Sequence, residues 1–299
     1  MKEQYMKELP TPTFALSPAF LLRSSNFLGI ARVREPQQVT APQPTPAAEV
    51  QPLPSGITAV WARHLDEVRE AQRLRYEIFS GEMGARLETA APSAYPEHDI
   101  DMFDDFCEHL LVRDKATGAV VGTYRVLTPA QARRIGTTYT DTEFDLTRLR
   151  GMRERMVELG RSCVHKDYRH GGVIMALGGA LFEFMVRNQF ETMIGCASIP
   201  MSHNGADGGH AAASIWSRLE KTHLAPIERQ VFPRCALPIE QLDATLAVEP
   251  PALIKGYLRL GAKVLGPPAW DPTFNSADLP IMARLEDLPS RYRKHFLGA

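Results

Sequence analysis

The sequence predicts a mixed α/β fold, and two observations support this prediction. Apolar segments of strand length alternate along the chain with segments of helical length. The apolar runs 155–164 and 192–198 are separated by the helix-length segment 173–189, an arrangement that forms a β-α-β unit. The sequence has no repeat period, which argues against a repeat-protein fold.

The predicted elements follow one another in a clear order. They are a strand at 57–63, a helix at 65–79, a hairpin of strands 108–114 and 119–127, a strand at 155–164, a helix at 173–189, a strand at 192–198, a helix at 210–224, a helix at 251–261 and a strand at 278–285. The first helix is indicated by apolar residues in a helical rhythm, among them Leu65, Leu74 and Phe79. Gly118, in the KATG turn, favours the hairpin. The residues between 80 and 105 form a long loop.

Composition excludes several classes of protein. The chain of 299 residues is 44% hydrophobic and 23% charged, which is ordinary for a globular protein. Its formal net charge of -1 gives no overall attraction to nucleic acid, and we expect no such partner. The 4 cysteines form no CxxC pair, so a zinc knuckle is not indicated, and scattered cysteines fit a reducing cytosol.

The N-terminal region differs from the rest of the chain. Residues 35–54 are rich in proline and lack apolar periodicity, so we predict a disordered tail over 1–55 and a folded domain over 56–299. No uncharged run is long enough to span a membrane, and we predict a cytoplasmic protein. The more apolar segment 18–33 leaves peripheral contact with the inner membrane open.

Two charges interrupt the apolar segment ELGRSCV, which is predicted to be a strand. Glu158 and Arg161 stand where apolar residues are expected, and Gly160 lies between them. A glycine inside a strand often marks a β-bulge, which would bring both charges toward one side and free backbone N–H groups. One alternative is a buried Glu158–Arg161 ion pair that serves only the fold.

Such an arrangement suits acyl transfer. A partly buried Glu158 has a raised pKa and can accept a proton from an amine. Backbone N–H groups near Cys163 and Val164 can stabilise the oxyanion. Cys163 could instead be a nucleophile with His165 or His170 as its base, although a cysteine in an apolar strand is usually a core residue.

The turn after this strand, VHKDYRHGGVIMAL, resembles the strand-loop-helix core of the GNAT acyltransferases. In that family, backbone N–H groups at the helix N-terminus hold the pyrophosphate of coenzyme A. The resemblance assigns carrier binding to Lys166, Arg169, His170, Gly171 and Gly172. Ile174 stands where the family has a small residue and would crowd a pyrophosphate, which favours a donor carried on 4'-phosphopantetheine and no separate cofactor.

A longer series of motifs resembles the L-ornithine N-alpha-acyltransferases. The motifs are LRYEIF, CEHLLV, VVGTYRVL, EFDL, ELGRSCVHKDYR, IGCASIP and LIKGYLRLGA, in that order. The resemblance extends from about residue 56 to residue 296. It implies a GNAT-like fold with a mostly antiparallel sheet flanked by helices. It also implies a 3-hydroxyacyl group on acyl carrier protein, L-ornithine as acceptor, and lyso-ornithine lipid as product.

A more distant resemblance is to the acyl-homoserine-lactone synthases. Their pattern matches the positions Arg75, Phe79, Asp101, Asp104, Arg125, Glu158 and Arg161. Asp99 and Asp105 compete for the two aspartate positions. This likeness leaves open an alternative function as an N-acyl amino acid synthase or signal synthase with another amine acceptor.

The chemistry of ornithine sets its own requirements. Its carboxylate needs an arginine, for which Arg125 or Arg75 is available, and its α-amine needs the base Glu158. Its δ-ammonium needs an acid, which one aspartate of the DIDMFDD segment at 99–105 could supply. The alternative for that segment is a solvated acidic loop, and its spacing matches a metal site only loosely, so we expect no metal.

An acyl carrier protein is acidic, so its docking surface should be basic. The segment RLRGMRER offers four arginines close in sequence, which are Arg148, Arg150, Arg153 and Arg155. Lys166, Arg169 and His170 follow beyond the strand. The alternative for these residues is an arginine-rich loop that serves solubility. The alternative for the protein as a whole is a non-catalytic, membrane-associated role with the N-terminal tail and the LIKGYLRLGA helix as anchors.

Overall fold

The computed structural model describes residues 56–87 and 95–297, and ten strands lie in this part of the chain. They are β1 (Ile57–Trp61), β2 (Glu108–Asp114), β3 (Val120–Leu127), β4 (Phe144–Asp145), β5 (Met156–Val164), β6 (Thr192–Pro200), β7 (Phe232–Pro233), β8 (Lys263–Val264), β9 (Ala269–Asp271) and β10 (Ser276–Arg284). The main sheet has the order β1-β2-β3-β5-β6-β10-β8, β9 also pairs with β10, and β4 pairs separately with β7. The predicted tail over 1–55 lies outside the described residues.

Seven α-helices are found in the described residues. They are α1 (Leu65–Tyr76), α2 (Pro129–Ile135), α3 (Tyr139–Glu143), α4 (Gly172–Arg187), α5 (His210–His223), α6 (Ala252–Arg259) and α7 (Ser290–Leu297). A π-helical turn, Glu77–Glu82, continues α1, and a 3-10 helix, Thr147–Arg155, precedes β5. The predicted hairpin and β-α-β unit are confirmed, since β2 and β3 are antiparallel while β5 and β6 are parallel. None of the described helices is long and apolar enough to cross a membrane.

Helices cover both faces of the sheet. Cys163 belongs to an apolar cluster with residues of α1, whereas Val164 belongs to a cluster with residues of α4. Adjacent residues of a strand point to opposite faces, so α1 and α4 lie on opposite sides of β5. The fit of α4 is close, because a Cβ at Gly122 would lie 2.3 Å from Val173 Cγ1.

Helix α6 is part of the core. Its Ile254 is buried, and the Tyr257 hydroxyl lies 2.6 Å from that of Tyr124 on β3. Leu258 of the same helix also packs against the core. These contacts favour a structural role for α6 over that of a membrane anchor at LIKGYLRLGA.

The parallel pair β5–β6 is short. Its register covers only Met156–Glu158 against Thr192–Ile194, and the two strands then separate. Beyond this point β5 remains paired with β3 and β6 remains paired with β10, so a gap opens in the middle of the sheet. Glu158 lies where this gap begins.

Candidate active site

The predicted bulge in β5 is present, displaced by one residue. Arg125 of β3 faces Gly160 and Thr123 faces Cys163, so an extra residue of β5 is accommodated between them. Arg161 has φ of +50°, a left-handed conformation that a side chain other than glycine adopts at a cost of about 1 kcal/mol. Gly160 does not have a positive φ, and a Cβ there would meet nothing within 4 Å.

Glu158 is buried and held by the start of α3. Its carboxylate accepts hydrogen bonds from the backbone N–H of Tyr139 at 2.8 Å and of Thr140 at 2.5 Å. Burial raises the pKa of Glu158, and these hydrogen bonds only partly oppose that effect. The two N–H donors fix the orientation of the carboxylate at the edge of the gap.

Arg161 does not pair with Glu158. Its guanidinium lies 3.0 Å from Asp101 and 3.3 Å from Asp99, and it stacks over the rings of Tyr139 and Phe274. The alternative of a Glu158–Arg161 ion pair is therefore wrong. Both side chains contact Tyr139, so the bulge brings them toward one side as expected.

Three guanidinium groups and three carboxylates form one network, which consists of Arg75, Arg125, Arg161, Asp99, Asp101 and Asp104. Arg75 is fully buried and binds Asp99 and Asp104, each at 2.8 Å. Arg125 lies 2.6 Å from Asp101 and 3.2 Å from Asp104. Positive and negative charges are thus balanced within the network.

This balance changes the expected roles of its members. Burial alone would raise the pKa of Asp104, but Arg75 and Arg125 outweigh it and hold that pKa well below its usual range. The carboxylates already have cationic partners, and Asp105 is exposed and outside the network. The interpretation of this segment as a solvated loop is wrong for Asp99 and Asp104, which are buried. An aspartate of 99–105 is accordingly a poor site for the δ-ammonium of an acceptor.

Phe79 and Cys163 lie in the same apolar cluster. Phe79 is buried, and its ring meets that of Phe274 edge-on at 5.5 Å. Burial raises the pKa of the Cys163 thiol, which disfavours the thiolate that a nucleophile needs. His165 instead lies 3.7 Å from Glu77. The geometry therefore favours a core role for Cys163.

The backbone of Val164 faces the gap. The N–H of His165 donates to Val121 O at 2.9 Å, so His165 and Val121 form a hydrogen-bonded pair of the antiparallel ladder. Because such pairs alternate with non-hydrogen-bonded pairs, the N–H of Cys163 faces β3 and that of Val164 points away from it. Of the two N–H groups expected to stabilise the oxyanion, those of Cys163 and Val164, only that of Val164 is available.

The residues expected to bind the carrier gather beyond the end of β5. Arg169 donates to Val164 O at 3.0 Å and to Glu82 at 2.7 Å, while Lys166 and His170 are exposed. Gly171 has φ of +100° and precedes the first turn of α4, which begins at Gly172.

The two basic segments do not form one surface. The 3-10 helix that carries Arg148–Arg155 lies before the 9 residues of β5, and Lys166 lies beyond them, so roughly 30 Å separates their ends. The two segments are therefore separate candidates for the carrier-docking surface. Arg150 and Arg153 line a separate cavity of about 420 Å³.

A second acidic cluster was missed by the sequence reasoning. It consists of Glu143, Asp271 and Asp278, and the Tyr139 hydroxyl donates to Asp271 at 2.8 Å. Burial raises the pKa of Asp278 to about 6 and that of Glu143 to about 7, and the neighbouring carboxylates add to both shifts. The signal that singled out Glu158, a charge inside an apolar strand, is also present at Asp278.

This cluster lies on the same face of the sheet as Glu158. Glu158 is in register with Ile194 of β6, and Ser198, further along that strand, is in register with Asp278 of β10. Alternate residues of a strand share a face, so Glu158 and Asp278 flank the gap from opposite sides. Within the described residues, no three His, Cys, Asp or Glu side chains converge as a metal site requires.

The fold and the sequence of this chain have counterparts in known proteins. Residues 74–178 match the model of the acetyltransferase (GNAT) domain. An L-ornithine N(alpha)-acyltransferase of Rhodobacter capsulatus is 34% identical over 243 residues, which cover 79% of this chain and 92% of the relative. The chain belongs to the L-ornithine N(alpha)-acyltransferase family.

A second relative agrees with this membership, and one solved structure shows a weaker similarity. The family member from Brucella abortus is 32% identical over 242 residues, covering 77% of this chain and 84% of the relative. The crystal structure of the AHL synthase LasI is similar with a TM-score of 0.46 at 13% identity, over 82% of this chain and 97% of that one. The protein is an acyltransferase with a GNAT fold, as the sequence resemblance implied.

Proposed function

We propose that the protein transfers a 3-hydroxyacyl group from acyl carrier protein to the α-amine of L-ornithine, which gives lyso-ornithine lipid. This reaction would be the first step of ornithine lipid biosynthesis. The observation that carries the proposal is the buried Glu158 carboxylate beside a gap in the sheet into which the Val164 N–H points. The names of the relatives support the acceptor.

The proposed mechanism is direct attack of the amine on the thioester. Glu158 accepts the amine proton, directly or through a water, and its raised pKa suits this role at neutral pH. The Val164 N–H stabilises the oxyanion, the C–N bond forms, and the C–S bond breaks. The phosphopantetheine thiolate leaves and takes up a proton.

Arg161 has a positioning role in this proposal. It adopts a left-handed conformation and stacks on Tyr139, whose N–H holds Glu158. The ion pairs of Arg161 with Asp99 and Asp101 keep the bulge in place. Arg75 and Arg125 support the same carboxylates, and an interaction of either with the ornithine carboxylate would require the network to rearrange.

The donor enters from the end of β5 in this proposal. Lys166, Arg169 and His170, together with the Gly171–Gly172 turn, would contact the phosphopantetheine phosphate, and the chain of the cofactor would follow the gap. The protein would need no further cofactor. A cytoplasmic location belongs to the proposal, and peripheral contact with the inner membrane is left open.

Mass spectrometry of the product tests the proposal. Purified protein with 3-hydroxyacyl-carrier protein and L-ornithine should yield ornithine acylated on the α-amine, which fragmentation distinguishes from the δ-isomer. Absence of product, or acylation of the δ-amine, would contradict it. If another amino acid outcompetes L-ornithine in a mixture, the alternative of an N-acyl amino acid synthase or signal synthase replaces it.

A further inference from the structure

The acidic cluster of Glu143, Asp271 and Asp278 carries charge that the protein does not balance. Asp278 is buried and hydrogen-bonded to Ser276 at 2.9 Å, and Asp271 is buried beside Tyr139. No Lys or Arg of the described residues forms an ion pair with any of the three carboxylates. Arg161 lowers the pKa values of Glu143 and Asp278 only as a minor effect, because it is bound to other aspartates.

The neighbouring network provides a contrast within the same site. Its three carboxylates are matched by three guanidinium groups, which offset the free-energy cost of burying their charges. The cluster around Asp278 lacks such partners and lies across the gap from Glu158. A cationic group that enters the gap would relieve this unbalanced charge.

An independent observation concerns Thr140. Its side chain is fully buried, and its hydroxyl has no hydrogen-bond partner of good geometry among the described residues. The hydroxyl lies beside Glu158 and Cys196, and Cys196 in turn lies near Asp278. An unsatisfied buried hydroxyl is destabilising, so a polar ligand bound between the base and the acidic cluster would gain a hydrogen bond from Thr140.

We propose that Asp278, with Asp271 and Glu143, binds the side-chain ammonium of the amino acid acceptor while Glu158 faces its α-amine. This inference rests on the proposed function and names the specificity determinant of the same site. Tyr139 spans the two positions, since its N–H binds Glu158 and its hydroxyl binds Asp271. The span of one tyrosine, from backbone nitrogen to hydroxyl, is similar in length to an extended diamino acid.

The test compares two acceptors that differ only in the ammonium. L-norvaline is ornithine without its δ-amine, and steady-state kinetics are measured with both for the wild type, Asp278→Asn and Glu143→Gln. Asp278→Asn should raise the KM for L-ornithine at least tenfold and lower the ornithine-to-norvaline ratio of kcat/KM at least tenfold. Glu143→Gln, at a half-buried position, should shift the ratio in the same direction by less.

Glu220→Gln, on an exposed position of α5, is the matched control and should leave the ratio unchanged. An equal loss with both acceptors in Asp278→Asn would show a structural role and overturn the inference, as would an unchanged ratio. If Asp278→Asn does not fold, the ornithine-to-norvaline ratio of kcat/KM in Glu143→Gln decides whether the inference holds.

A binding measurement separates this inference from the proposed function. Thermal unfolding is followed with L-ornithine and with L-norvaline in the absence of any acyl donor. Stabilisation of the wild type by ornithine but not norvaline, lost in the two variants, supports the ammonium site even if no acylation occurs. Acylation of ornithine without any such difference in stabilisation would overturn the ammonium site and leave the proposed function in place.

Discussion

The backbone N–H of Tyr139 donates a hydrogen bond to the Glu158 carboxylate at 2.8 Å. This contact joins the first residue of α3 to the strand that borders the gap in the sheet. It places a buried carboxylate at the gap with a fixed orientation and a raised pKa. The proposed chemistry depends on this geometry.

Two glycines near the gap should differ sharply in their tolerance of a side chain. A Cβ at Gly195 would lie 2.3 Å from Leu159 O, whereas one at Gly160 would meet nothing within 4 Å. We expect Gly195→Ala to lower the free energy of unfolding by about 2 kcal/mol and Gly160→Ala to change it by less than about 0.5 kcal/mol. Chemical denaturation of both variants checks this, and equal effects would contradict the close approach of β6 to β5.

Part of the site could be predicted from the sequence, because Glu158 and Arg161 break an apolar strand with charges. The bulge was predicted at Gly160 and lies at Arg161, since ion pairs to Asp99 and Asp101, distant in sequence, hold the backbone there. Local pattern says little about such pairing.

More of the fold than of the site could be predicted from the sequence. Periodicity and turn residues determine the elements locally, and the order of strands and helices along the chain around the β-α-β unit was therefore predicted correctly. The contact between Tyr139 and Asp271 joins residues 132 positions apart, and no local rule indicates it. Short helices such as α3, with 5 residues, also carry too little periodicity to be recognised.

Removal of Arg75 should destabilise the fold because it leaves buried carboxylates without a partner. We expect Arg75→Met to lower the free energy of unfolding at neutral pH by about 3 kcal/mol or more. The exposed pair of Arg69 with Asp66 provides the control, and Arg69→Met should cost less than about 1 kcal/mol. Denaturant titration measures both, and a small effect at Arg75 would contradict the role of the network.

The same network should make the protein sensitive to acid. The pKa of Asp104 is lowered in the folded protein, so its contribution is present above its ordinary pKa near 4 and is lost as the pH falls below that value. As the pH falls below about 4, the denaturant concentration at the unfolding midpoint should therefore decrease more steeply for the wild type than for Arg75→Met. Parallel curves for the two proteins would contradict this.

Asp278 should have the opposite effect on stability. Its pKa is raised by burial to about 6, so the folded state binds more protons than the unfolded state between about pH 4 and pH 6. The contribution of Asp278 to the free energy of unfolding is present below pH 4 and is lost as the pH rises through 6. This loss amounts to up to about 3 kcal/mol. Without ornithine, Asp278→Asn should lose less stability than the wild type between pH 4 and 7, and an equal loss in both would contradict the shift.

Carrier docking should depend on Lys166, which is exposed beyond the end of β5 and has no ion-pair partner among the described residues. Lys166→Glu should raise the KM for the acyl-carrier protein about tenfold at low salt, with a smaller effect at high salt. Lys221→Glu, on an exposed position of α5, should have little effect. An unchanged KM in Lys166→Glu would place the docking surface elsewhere.

The most direct test of the central claim is the initial rate of N-acyl-ornithine formation by Glu158→Gln. We expect kcat to fall about a hundredfold or more while the KM for ornithine changes little, because a general base contributes about 10²–10⁴ to the rate. Glu154→Gln, at an exposed position just before β5, is the matched control and should keep the wild-type rate. A wild-type rate in a folded Glu158→Gln variant would show that Glu158 is not the general base.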